Sequence, residues 1–142
     1  MGTTLIHIDE HSDLWENKNI LPERGEKSGD TYLENIWKFT NYACNVGNYI
    51  TPARNAWLID TIIRIEGEYD IDQALQKSYP TEYILNLDMD FFSEELDYID
   101  YEKKKACITH FAKHARLITI ATSPGFMDQA KAIRIMRDIF YS

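Results

Sequence analysis

Two short acidic clusters hold the residues of this chain whose types and spacing could do chemistry. The first, Asp9-Glu10-His11-Ser12-Asp13, follows the apolar run Leu5-Ile6-His7-Ile8. Asp9, His11 and Asp13 are spaced by two, and in an extended chain that spacing turns three side chains to one side. Carboxylate, imidazole and carboxylate from one segment form a metal-ligand set; the plain alternative is a polar turn after a strand. The second cluster, Asp88-Met89-Asp90, also ends an apolar stretch, Glu82–Leu87. If the two clusters meet, Asp9, Asp13, Asp88 and Asp90 put up to four negative charges in one crevice, and without counter-ions at least one carboxyl keeps its proton. Two divalent cations would balance that charge. A mostly oxygen set with one imidazole suits Mn(II) or Fe(II) better than the thiolate-rich sets of structural zinc. Two such ions sharing a water lower its pKa towards neutral, so the implied chemistry is metal-assisted hydrolysis.

The intervening chain must supply elements that bring the clusters together. Residues 4–8 read as a buried strand, Thr61–Glu66 as a second, Glu82–Leu87 as a third and Arg116–Ala121 as a fourth. Between them lie helical patterns. Thr31 and Glu34 form a capping-box pair, and Leu33, Ile36, Trp37, Thr40, Ala43 and Cys44 share one helical face up to the stop at Gly47. Asn48–Asn55 reads as a turn around Pro52. Asp70–Ser78 is a short helix capped by Asp70, with Pro80 separating it from the third strand. A helix runs over 101–115, and the last one starts at Ser123-Pro124 and carries Phe126, Ala130, Ile133 and Phe140. Residues 14–30 lack a period and carry Pro22, Gly25 and Gly29; directly after the first cluster they suggest a lid or substrate loop. Alternating strands and helices predict an α/β fold: a three-layer α-β-α arrangement around a parallel sheet of about four strands. Ligands of such sheets gather at the carboxyl ends of strands, where both clusters lie. Strands one and three must then be neighbours, which gives the order 2-1-3-4.

Composition narrows the partners. A 142-residue chain fits a single domain, and 44 % apolar with 27 % charged residues is ordinary for a globular protein. Net charge −8 argues against nucleic acid and anionic membranes and favours a cationic substrate. No apolar run reaches a membrane span and no signal peptide precedes the first strand, so a cytoplasmic location is expected. Cys44 and Cys107 read as reduced core residues. His110 and His114 lack the glutamate of a zinc-protease helix and read as surface or partly packed residues.

Asp9-x-His11-x-Asp13 followed by Asp88-x-Asp90 resembles the arginase/deacetylase superfamily, in its ureohydrolase branch. The blocks HIDEHSDLW, NVGNYITPA, LNLDMDFF and ITIATSPGF resemble, in order, an arginase-like family that includes peptide arginases, over about residues 5–140. The resemblance implies a metallohydrolase that converts arginine side chains in peptides to ornithine and urea through a metal-bridging hydroxide. It implies two metal ions, Mn(II) first, with Fe(II) or Zn(II) as alternatives. Asp9 would bridge the ions, His11 would bind one and Asp13 the other; Asp88 would be the second shared ligand, and Asp90 would join the ion of His11. Asp9 and Asp13 are the residues it assigns to catalysis. Members of the family draw a further histidine ligand from an upstream segment, which points to a chain lacking an N-terminal segment. His7 lies one pleat back, under the site, and reads as a packed strand histidine. Where arginases place a guanidinium-holding glutamate this chain has Ala121-Thr122-Ser123, so the expected partner is an arginine-containing peptide or protein rather than free arginine. Two other functions stay open: a non-catalytic metal-binding partner domain, and a haloacid-dehalogenase-like phosphatase using Asp88 and Thr122.

Overall fold

The computed structural model describes residues 2–16, 30–79 and 82–141. Most of the expected lid, residues 17–29, and Pro80 lie outside them. The chain forms two compact units, Met1–Gly2 with His11–Asp60, and Thr3–Glu10 with Thr61–Ser142.

The second unit is built on a four-stranded sheet of order β2-β1-β3-β4, from β1 (Thr3–Ile8), β2 (Ile59–Ile65), β3 (Tyr83–Asp88) and β4 (Ala115–Ala121). This is the parallel α/β arrangement, with the strand order, that the two acidic clusters require. β1 and β3 run parallel with Ile6 opposite Leu85 and Ile8 opposite Leu87. β3 and β4 run parallel with Leu85 opposite Ile118, after an irregularity at Tyr83/Ile84. The Asp9 N–H donates to the Ile65 carbonyl at 3.2 Å, tying the end of β1 to β2.

Strand alternation decides which face is the core. Ile6 and Ile8 on β1 and Leu85 and Leu87 on β3 are fully buried and pack with Cys107, Ile108 and Phe111 of α4 (Tyr101–Ala112) and Ala132 and Ile139 of α5 (Gln129–Phe140). The other face carries Leu5 and His7 on β1, with Asp9 just past its end, and Ile84, Asn86 and Asp88 on β3, so polar residues occupy its carboxyl half. Phe111 anchors the core: its ring meets Tyr79 edge-on at 5.5 Å and Tyr83 at 6.3 Å, and its carbonyl accepts the Tyr83 hydroxyl at 2.7 Å. On the surface Lys103 bridges to Glu68 and Asp72 of α3 (Glu68–Leu75), and Lys105 to Asp138 of α5. Such exposed pairs add about 0–1 kcal/mol each, so burial carries the stability. No helix among the described residues is long and apolar enough to cross a membrane.

The first unit holds α1 (Asp30–Lys38), a π-helical turn at Phe39–Ala43 and α2 (Ile50–Asn55). The single helix expected up to Cys44 is therefore broken. In the π-helical turn the Cys44 N–H reaches back five residues to the Phe39 carbonyl at 3.1 Å, and the wider turn rotates the later residues off the expected stripe. Phe39 is buried there, whereas Leu33 and Trp37 are 66 % and 56 % exposed. The expected turn at Asn48–Asn55 is mostly α2, with Pro52 in its first turn, where a missing N–H costs nothing. Asn45 and Asn48 shape the approach: Asn48 Oδ1 accepts the Asn45 N–H at 2.8 Å and Asn45 Oδ1 the Gly47 N–H at 3.0 Å. Gly47 is required because a Cβ there would lie 2.9 Å from the Trp15 ring, whose backbone N–H donates to the Gly47 carbonyl. Neither cysteine is in a disulfide; Cys107 is core, its thiol pushed up to about 12 by burial, but Cys44 is only half-buried.

Two helix starts also differ from expectation. Gly67, not Asp70, stands at the start of α3, and the Asp70 carboxylate instead accepts the Glu66 N–H at 3.1 Å. The last helix begins at Gln129, capped by Asp128, which accepts the Lys131 N–H at 2.7 Å. Phe126 stays 58 % exposed. Ser123 does not cap because its hydroxyl is engaged by Asp88.

Candidate metal centre

β1 and β3 end side by side, so the residues just past the Ile8–Leu87 pair, Asp9 and Asp88, share one edge of the sheet. Beyond Asp88 the chain enters a tight 3-10 turn, Met89–Phe92, and the Asp88 carboxylate accepts the Asp90 N–H at 3.2 Å. The turn folds Asp90 back towards Asp9. The two carboxyls are hydrogen-bonded to each other, both are 1 % exposed, and Asp90 Oδ1 accepts the Glu10 N–H at 3.3 Å. Phe91 and Phe92 sink into the core and the buried Lys104 ammonium lies 5.6 and 5.3 Å from their ring centres. That packing fixes the backbone that aims Asp90.

Crowding three carboxyls raises the cost of ionising each. Burial, then the charges of Asp9 and Asp88, push the Asp90 carboxyl up to about 7. Asp88, half-buried, is also raised, mainly by burial, while the hydroxyl of Ser123 and the N–H of Asp90 act in the opposite direction. Ser123, just past the end of β4, donates its hydroxyl to Asp88 Oδ1 and holds a φ of 42°. This left-handed backbone is uncommon for serine and costs of order 1 kcal/mol, which the contact to Asp88 helps offset.

The structure thus brings Asp9, Asp88 and Asp90 together. His11 and Asp13 belong to the first unit, where His11 is exposed and Asp13 half-buried with a φ of 51°. The chain bends from Asp9 onward, so extended alternation does not run through the first cluster as its spacing suggested. A cleft of about 460 Å³ in the first unit, lined by Thr51, Arg54, Asn55, Trp57, Ile59 and Asp60, includes none of the five cluster residues. His110 and His114 are exposed at the far end of α4, as expected.

Two features escaped the sequence. Ser123 looks like a helix cap before a proline and has no signal of its tertiary role. His7, Asn86 and Thr119 form a hydrogen-bonded row whose only sequence trace is a polar residue inside each of three strands. The donor set of Asp9, Asp88 and Asp90 is all oxygen and mutually repulsive, with Asp9 and Asp90 buried and Asp88 half-buried, which fits a hard divalent cation. No protein-family model, curated protein or solved structure matches the chain.

Proposed function

We propose that this chain is a metal-dependent hydrolase, resembling the peptide arginases, that cleaves the guanidinium of a peptide-borne arginine to give ornithine and urea. The observation that carries this reading is the convergence of Asp9, Asp88 and Asp90 at the carboxyl edge of a parallel sheet, with Asp90 pushed up to about 7. A buried acidic cluster of this kind costs stability unless a cation offsets it. Asp9, Asp88 and Asp90 would hold divalent ions, Mn(II) foremost, and the resemblance to peptide arginases would add His11 and Asp13 as further ligands and make the number of ions two. When bound, those ions would balance the carboxylate charge and acidify a water for attack on the guanidinium carbon. Ser123 holds one oxygen of Asp88 and the Glu10 N–H one oxygen of Asp90, so both carboxylates are oriented before a cation arrives. The net charge of −8 draws a cationic side chain towards the chain at low salt. A cytoplasmic setting, where thiols stay reduced, accords with the two unpaired cysteines.

Urea release from free arginine and from arginine-containing peptides, at matched concentration with Mn(II), tests the proposal. The peptides should turn over faster, and raising salt should slow them. Faster turnover of free arginine would overturn the peptide preference. Mn(II) binding without urea from either substrate would favour the non-catalytic metal-binding domain, and release of phosphate from a phosphomonoester would favour the phosphatase.

A further inference from the structure

The cleft of about 460 Å³ in the first unit lies within the size range of small-ligand sites. Thr51, Arg54 and Asn55 line it from one face of α2, as their spacing of three and four requires. Trp57, Ile59 and Asp60 supply the rest of the wall. The turn joining the two parts is a tight helix ending. The Trp57 N–H donates to the Arg54 carbonyl at 2.9 Å and the Leu58 N–H to the Ala53 carbonyl at 3.0 Å. This ending needs a left-handed residue at its centre, usually glycine, because a side chain is strained there. Here that residue is Trp57, with a φ of 58° and 78 % exposure. The backbone at Gly2 packs against the same turn: a Cβ there would lie 2.9 Å from the Trp57 carbonyl oxygen and 2.8 Å from the Asp60 nitrogen.

A bulky ring in a glycine position, left in solvent, helps neither the turn nor a core. Its neighbours indicate a ligand. Among the described residues the side chains of Arg54, Asn55 and Asp60 make no hydrogen bond or ion pair, and all three are exposed. By contrast Thr51 gives its hydroxyl to the Trp15 carbonyl at 3.3 Å, and Lys38, the other cation described in this unit, pairs with Glu34. An unpaired guanidinium in a chain of net charge −8 offers a place for a ligand carboxylate. Asp60 on the same wall disfavours phosphate groups and accepts N–H donors. The Asn55 amide matches the N–H and C=O of a peptide group, and the Trp57 face takes an aromatic side chain. We propose that this cleft binds a peptide segment in which an acidic residue neighbours an aromatic one, the carboxylate on Arg54 and the ring on Trp57. The site is independent of the acidic cluster and needs no metal.

The probe is acetyl-Phe-Glu-amide, added to the isotope-labelled full chain in chelator and followed by the NMR signals of the Trp57 indole and the α2 backbone. Acetyl-Phe-Gln-amide removes the charge, and phenylpropanoate keeps ring and carboxylate without peptide groups. Saturable shifts centred on those signals should give a dissociation constant on the order of 1 mM. The glutamine peptide and phenylpropanoate should each bind about 5-fold more weakly or worse. Arg54→Met should weaken the glutamate peptide by about 5–10-fold and leave the glutamine peptide unchanged. Trp57→Gly should weaken both peptides by about 5-fold or more. The same variant should melt no lower than wild type, since glycine suits the turn. A lower melt of Trp57→Gly would make the ring structural and overturn the proposal. So would the absence of a saturable shift up to about 10 mM, equal binding of the glutamine peptide or of phenylpropanoate, or an Arg54→Met variant that binds like wild type. Because chelator is present throughout, a chain that takes up no Mn(II) fails the hydrolase reading and leaves this one intact.

Discussion

Asp90→Asn should make the chelated protein more stable at pH 8 while eliminating metal-dependent hydrolysis. In the fold the Asp90 carboxyl is pushed from 3.8 up to about 7, first by burial and then by Asp9 and Asp88. Between those two values the folded state holds a proton that the unfolded state has released, so metal-free stability falls as pH rises through this window. Below it both states are protonated and the contribution is intact; above about 7 both are ionised and it is lost. A shift of this size corresponds to about 4 kcal/mol as an upper bound. Asparagine keeps the acceptor for the Glu10 N–H and cannot ionise. Melts in chelator should therefore nearly coincide for the two proteins below about pH 4, and the variant should melt several degrees higher at pH 8. With Mn(II) present the order should reverse, because the cation stabilises only the chain that binds it well. A variant that melts lower than wild type at pH 8 in chelator would show Asp90 to be a structural carboxyl.

Phe111→Ala should cost about 3–5 kcal/mol, the usual loss for a buried aromatic ring. Phe111 is 1 % exposed and stacks edge-on with Tyr79 and Tyr83 at the end of α4 farthest from the acidic cluster. Removing the ring leaves a cavity between α4 and β3 while the carbonyl that accepts the Tyr83 hydroxyl remains. For a domain stable by about 5–15 kcal/mol this is a large share, and the melting temperature should drop by roughly 10 °C or more. A loss under about 1 kcal/mol in urea titrations would mean that the core is centred elsewhere.

The strands were legible because each is a short run rich in β-branched and other apolar residues, set between helical patterns. Their order followed from a chemical demand: Asp9 and Asp88 can share a cation only if β1 and β3 are neighbours. Other features depend on geometry that spacing does not encode. The π-helical turn at Phe39–Ala43 shifts the buried residue to Phe39, and no local pattern distinguishes it from a continued helix. Ser123-Pro124 has good helix-start chemistry, but the tertiary bond to Asp88 outcompetes it and the helix waits for Asp128. The Thr119–Asn86–His7 row becomes visible only when the register of three strands is known. The 3-10 turn that folds Asp90 against Asp9 is likewise a product of Phe91 and Phe92 packing under Lys104, not of the acidic spacing itself.

Metal counting separates a two-ion centre from a merely acidic edge of the sheet. Chain stripped with chelator and dialysed free of it should be titrated with Mn(II), bound ion being read by calorimetry and by the spin signal of the free ion. The proposed two-ion centre predicts saturable uptake of two ions per chain. Asp88→Ala should lose at least one of them while keeping the wild-type circular dichroism spectrum. No saturable uptake by the wild-type chain, or uptake that Asp88→Ala leaves unchanged, would contradict the metal centre.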